Sequence, residues 1–492
     1  MSEQLKEPML INTGSVALED QVPLSQAMLG GYASGEELYS YEAFPEVNIE
    51  ELKELQRKSL PEISYFMVDK LMGGTLTPDE LKEVIDEAYS PENFDLDPRD
   101  GNIQFTKLHN GTLMADLSAG PTASYKDMPM QPLSRAMSKV QQRVYDLYLT
   151  IVTITSGDTG EAVLKALMTA INIGAVGIMQ KNISPFQRNA MARMHDPEND
   201  MHVLQYVGDF SKLNEVHMEA NKHFYIGAMN SVNIGRLIFQ IGYEAALYLK
   251  AAELSDVEIG MPIDISKQTG NFGHGLSSIF AREMGIPWGN IILGNDENDT
   301  TYQLFEHGTV VKQKDVKTDS SAQNIGNPSN MWRYFLTLFG NNPEKIRRLY
   351  DIYENEGRVA LSQIGIEKPS VYENVLAARI DASERDAITR EVYKMNGGKI
   401  IIDPHTANGI AAIEKLKAEG RLDKKRPKVA VETARAYKFD DTTNKRLGVV
   451  LGRPTRYIGL EEAYSKVVLP EIGDYQDLER YLKEYTKVQP RN

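Results

Sequence analysis

Twice in this chain a β-rich run breaks into a polar, glycine-bearing turn and then into an amphipathic helix. "LYLTIVTI" (147–154) meets "TSGDTG" and a helical stretch that puts Val163, Leu164, Leu167, Met168 and Ile171 on one face, with Gly174 as its C-cap. "IDISKQTGNFGHG" does the same, followed by "LSSIFAREMG" with Leu276, Ile279, Phe280 and Met284 as a stripe. "AVGIM" (175–179), "VLQYV" (203–207), "NIILG", "KIIID" and "KVAVETA" read as further strands. Strands that alternate with helices imply parallel sheets covered by helices, because a parallel pair needs a crossover long enough to hold a helix. The fold class is α/β.

A chain of 492 residues is too long for one compact core. Its first hundred residues lean helical. Leu52, Leu55, Leu60 and Ile63 recur at roughly helical spacing, and Thr77 with Glu80 makes a capping box for the next helix. "SPENFDLDPRDG" (90–101) is rich in breakers and reads as a linker or domain edge. The C-terminal "YLKEYTKVQPRN" is polar and is expected to fray. The net charge of −15 argues against general binding to nucleic acid or acidic lipid. With no cysteine there is no disulfide, thiolate metal site or cysteine nucleophile. The opening "MSEQLKEPML" lacks a signal-peptide plan, and no apolar run is long enough to span a bilayer. A cytoplasmic protein is expected.

Five stretches could carry chemistry. "QTGNFGHG" (268–275) lets backbone N–H groups approach an anion ahead of a helix N-terminus, or it is simply a tight turn. "TSGDTGEA" offers Thr155, Ser156 and Thr159 as hydroxyl donors; Asp158 would repel a phosphate there, so it caps the helix or meets a proton-bearing part of a ligand. Lys126, in "SAGPTASYKDMPM", is a solvated cation unless burial lowers its pKa and frees a nucleophile. "IIDPHTANG" brings Asp403 and His405 together without a third metal ligand. "ETARAYKF" ends a strand with Thr433, Arg435 and Lys438; a solvated turn is the plainer reading.

In order, "GPTASYKD", "TSGDTG", "TGNFG", "DPHTANG" and "TARAYKF" resemble the motifs of the threonine synthase family, in its longer form. "MNSVNIGRLIFQIGYEAALYL", "GNDENDTTYQLFEHG" and "NPSNMWRYF" are similar to its connecting segments, and the likeness runs from about residue 10 to about 465. The resemblance implies a tryptophan-synthase-β-like fold of type II, with pyridoxal 5′-phosphate as cofactor. It implies a lyase that converts O-phospho-L-homoserine and water to L-threonine and phosphate. Lys126 matches the lysine that carries the cofactor. Gly270, Asn271, Phe272 and Gly273 match the loop around its phosphate. Asp158 matches a position beside the ring's phenolic oxygen, and Thr433 one facing the ring nitrogen. The expected partner is a small amino-acid substrate, without nucleic acid, membrane or metal, for a monomer or homodimer. The expected domains are 1–100, mostly helical; 101–134 with 246–492, the larger cofactor-binding domain; and 135–245, a smaller α/β domain.

The sequence departs from the family at pocket positions. Gln180 and Asn182 stand where cations are usual, with Lys181 between them. Arg435 replaces a histidine, Gln268 a proline, and His274 an aspartate or asparagine. Lys181, Arg236 and Arg435 are then the candidates for the substrate's phosphate, with Thr155, Ser156 and Thr159 beside them. The alternatives are a paralogue acting on another β- or γ-substituted amino acid, or a catalytically silent binding module.

Overall fold

The computed structural model describes residues 7–14, 21–33, 37–144, 147–155, 158–181, 183–208, 213–366 and 374–491. Two sheets organise it. The larger has six strands in the order Val375–Arg379, Trp288–Asn295, Ile263–Gln268, Lys428–Glu432, Leu113–Asp116 and Phe105–Lys107. All its neighbours are parallel except the last pair. The smaller has five parallel strands in the order Glu471–Ile472, Met201–Tyr206, Ile173–Gln180, Leu149–Thr155 and Ile226–Gly227. The inner strands are buried along nearly their whole length, as expected when helices cover both faces. Among the described residues, no helix is long and apolar enough to cross a membrane.

The N-terminal region carries the helices Ile49–Glu54, Leu60–Met72 and Pro78–Ala88, beside a small antiparallel sheet opened by Met9–Asn12. Leu52, Leu55, Leu60 and Ile63 are buried. Thr77 caps the third helix: its hydroxyl accepts from Glu80 N at 3.2 Å, and Glu80 accepts from Thr77 N at 2.8 Å. Thr77→Ala is expected to cost about 1 kcal/mol, read as a lower urea midpoint.

Several expectations change in the folded chain. The helix Asp158–Leu167 stops short, leaving Met168 and Ile171 53% and 63% exposed. Asn172, at φ 59°, turns the chain directly into the strand from Ile173, so Gly174 lies inside that strand and caps no helix. A Cβ on Gly174 would come within 2.0 Å of Asp200 Oδ2, which explains the glycine. "KIIID" is no strand; only Ile402 bridges, to Arg435. The described C-terminal residues, up to Arg491, pack against the smaller sheet instead of hanging free. The strand Glu471–Ile472 and the helix Tyr475–Tyr485 return to the smaller sheet, where Leu478 and Leu482 join Val152 and Leu204 in one core. Tyr225 N donates to Gln489 O at 2.8 Å, and Arg491 N to His223 O at 2.8 Å. The smaller sheet thus takes an edge strand from beyond residue 470, inside the span expected of the larger domain. Residues 90–101 also pack closely: Phe94 and Asp97 are buried, and Asp97 N donates to Asn102 O at 2.7 Å.

Candidate active site

The C-terminal ends of strands from both sheets converge, the usual ligand position in open α/β sheets. A partly open cavity lies there, lined among others by Lys126, Asp158, Gly270, His274, His405 and Thr433.

Lys126 sits at the mouth of the helix Asp127–Val144. The turn before it is fixed from both sides. Asp127 accepts from Thr122 N at 2.7 Å and from Thr122 Oγ1 at 2.8 Å, while Tyr125 N donates to Thr433 O at 2.7 Å. The amine is therefore held inward, its side chain only 7% exposed, with Nζ 3.9 Å from Asp158 Oδ2. Burial pushes the amine down to about 8, with Arg236 and Lys438 acting the same way and Asp158 opposing them. Asp158 opens the helix Asp158–Leu167. Its own burial pushes its pKa up, but Lys438 and Lys126 outweigh that and hold the carboxyl at about 2.

Gly270 supplies the close approach on the other strand end. A Cβ there would stand 2.4 Å from the Ala322 carbonyl, so no larger residue fits without moving the loop. That loop is itself braced. Gln323 Nε2 donates to Thr269 O at 2.9 Å and to Gly294 O at 3.0 Å, and Asn408 Nδ2 donates to Gln323 Oε1 at 2.8 Å. Asn271 points away from the cavity, bonding Ser231 Oγ at 2.5 Å and Ser329 N at 2.6 Å. Phe272 takes the left-handed conformation at φ 64° and buries its ring against Phe305 and Tyr334. Gly273 then begins the helix Gly273–Glu283.

Four buried polar atoms of the cavity wall have no hydrogen-bond partner among the described residues: Thr433 Oγ1, His274 Nε2, Gln268 Oε1 and Asp158 Oδ1, the last of which keeps an ion pair with Lys438 at 3.0 Å. Such atoms are rare in native cores and mark places where a ligand supplies the bond. His274 stacks on Tyr125 at 4.5 Å between ring centroids, and burial pushes its imidazole well below the usual range.

The other site candidates divide. Thr155 Oγ1 accepts from Gly160 N at 2.9 Å, and Thr159 is half-buried in the first turn of its helix. Ser156 and Asn182 lie outside the described residues. Arg236 is buried in the helix Ile234–Gly242 and does not itself line the cavity; its Nε has no partner, and no carboxylate pairs with it among the described residues. Lys181 is not brought to the cavity: it is exposed and pairs with Glu471 at 2.7 Å. Arg435 is already engaged, by Asp116 at 2.5 Å and Glu432 at 3.4 Å, and does not line the cavity. Burial and the adjacent Asp116 push the Glu432 carboxyl up.

Asp403 and His405 are engaged by each other and by the backbone. Asp403 caps the helix Pro404–Ala418 and accepts from His405 Nδ1 at 2.7 Å, and His405 Nε2 accepts from Ala322 N at 3.0 Å. Among the described residues, no group of three His, Asp or Glu converges on one point. Two contributors stood in quoted stretches without a role, Tyr125 beside Lys126 and Lys438 in "TARAYKF".

A family model described as threonine synthase N terminus matches residues 14–89. The chain is 27% identical to a threonine synthase of Corynebacterium glutamicum, over 90% of this chain and 92% of that one. It is 28% identical to that of Schizosaccharomyces pombe, over 86% of each. Among solved structures, a PLP-bound threonine synthase from Brucella melitensis superposes with a TM-score of 0.84 at 23% identity, covering 98% of this chain and all of the other. The yeast enzyme gives 0.85 at 22% identity, covering 97% and 98%. The fold is that of these proteins.

Proposed function

We propose that this chain, a member of the threonine synthase family, converts O-phospho-L-homoserine and water into L-threonine and phosphate with pyridoxal 5′-phosphate as cofactor. The observation that carries the reading is the buried Lys126 amine, lowered to about 8 and facing a cavity that also holds the glycine cradle and unpartnered polar atoms.

The residues fit the cofactor. Gly270 and the start of the helix Gly273–Glu283 suit its phosphate, with Asn271 and Phe272 shaping the loop between them. The unpartnered Thr433 hydroxyl suits the ring nitrogen, and Lys126 and Asp158 suit its carbonyl side. When bound, the cofactor supplies an electron sink for carbanionic chemistry on the amino acid. This chain's own residues do the rest. Lys126 Nζ moves protons at Cα and Cβ of the substrate, a role matched to an amine that loses its proton near neutral pH. Arg236 meets the substrate's phosphate, because it is a buried cation near Lys126 that no carboxylate pairs with among the described residues. Thr155 and Thr159 are placed in the same reading as neighbours of the substrate, as is Ser156. Lys181 and Arg435 drop out of phosphate binding, since each already has a carboxylate. We read the enzyme as cytoplasmic and as a monomer or homodimer.

The test is turnover. Purified protein loaded with the cofactor should release inorganic phosphate from O-phospho-L-homoserine and form threonine in equal amount, identified by chromatography. Phosphate release without threonine, or no turnover beside active O-phosphoserine, would overturn the reading.

A further inference from the structure

Lys438 is deeply enclosed beside the cavity. Its side chain is 1% exposed, and it follows the strand Lys428–Glu432 of the larger sheet. Its Nζ donates to Thr122 O at 2.7 Å, in the turn that leads to Lys126. The same nitrogen lies 3.0 Å from Asp158 Oδ1 and 3.1 Å from Glu161 Oε2, both on the helix that follows the first strand of the smaller sheet. One ammonium therefore ties the two lobes at the point where Asp158 faces Lys126. Glu161 is held in turn by Arg193 at 2.7 Å and by the Tyr457 hydroxyl at 2.9 Å.

We infer that Lys438 is a positioning residue: it fixes the Asp158 carboxylate across the lobe boundary and thereby sets the acidity of the Lys126 amine. The argument is one of competition. Asp158 has one oxygen toward Lys438 and the other 3.9 Å from Lys126. A carboxylate free to choose would close on Lys126 and make it more basic, because an opposite charge at contact favours the charged amine. Lys438 holds the carboxylate back and adds its own repulsion, so Lys126 stays easier to deprotonate. The other charged groups around the pair do not replace this. Arg236 and Asp403 act on Lys126 from opposite signs, His405 faces Asp158, and Asp127 is taken up by Thr122.

The inference rests on Lys126 as the reactive amine, and its test is read without substrate, so it can fail while turnover stands. Lys126 in the full chain, freed of cofactor, is trace-labelled with acetic anhydride across pH and quantified by mass spectrometry. The native midpoint is expected at about 8. Lys438→Gln keeps a donor for Thr122 O but loses the charge, and should raise the midpoint by about one pH unit. Lys438→Arg should hold it near the native value. Glu161→Gln leaves Lys438 to Asp158 alone, draws the carboxylate from Lys126 and should lower the midpoint. A residue that only packs would move none of them. An unchanged or lowered midpoint in folded Lys438→Gln, or a rise in Lys438→Arg equal to it, overturns the inference. If Lys438→Gln does not fold, Glu161→Gln decides: a lower midpoint supports the assignment, and any other result rejects it.

Discussion

Lys126→Met should abolish turnover while leaving the fold as stable as before, or more so. The loss of kcat should reach at least about 10³-fold, since general acid–base catalysis alone accounts for 10²–10⁴ and no other lysine lines the cavity among the described residues. The stability side follows from the pKa. The folded amine titrates at about 8 and the unfolded one at 10.5. A lysine depressed on folding binds its proton more readily in the unfolded chain, so the wild type carries a penalty that is full below pH 8 and vanishes above pH 10.5. At 1.36 kcal/mol per unit this is up to about 3 kcal/mol. Methionine fills the same volume without a charge. The variant should therefore show its largest relative gain in melting temperature at neutral pH, fading as pH rises through that window. A melting temperature that falls at pH 7 with no pH dependence would mean that Lys126 is structural.

Much of the scaffold was legible locally, because its signals are local. Thr77 and Glu80 lie within one turn, and a capping box needs nothing else. The two strand–turn–helix units likewise carry their own punctuation. The misreadings arise where a distant partner decides. Met168 and Ile171 continue a helical stripe in sequence, but the turn at Asn172 feeds a strand and ends the helix first. "KIIID" is apolar enough for a strand yet finds only a single bridge. Leu478 and Leu482 look like the sparse apolar residues of a polar tail until the smaller sheet offers them a core.

At the site the same division holds. Motif order named the loop residues, but not which cations were already spent. In a strand, neighbouring side chains point to opposite faces, so Lys181, one step past Gln180, reaches Glu471 on the surface. Arg435 is neutralised by Asp116, more than three hundred residues away in the chain. Lys438 reads as part of a solvated turn, and only its three partners from two lobes reveal its burial.

Arg236→Gln carries the second large effect, and its signature is again a split between function and stability. A guanidinium buried in the helix Ile234–Gly242 without a carboxylate is costly to the fold, because desolvation is not repaid by pairing. Glutamine keeps polarity and removes the charge. Stability should hold or rise, as is common where a binding residue has been kept at the expense of the fold. Substrate use should collapse, because charge-assisted bonds to a phosphate dianion are each worth about twice a neutral one. A loss of about 10²–10³-fold in kcat/KM corresponds to roughly 3–4 kcal/mol. The cofactor's affinity, measured by its absorbance during dilution, should change little, since the glycine cradle and the helix Gly273–Glu283 do not include Arg236. Inorganic phosphate and sulfate, weak competitors of the native enzyme, should lose their inhibition together with the substrate's affinity. If the variant instead releases its cofactor and retains anion inhibition, Arg236 serves the cofactor, and another residue must meet the substrate's phosphate.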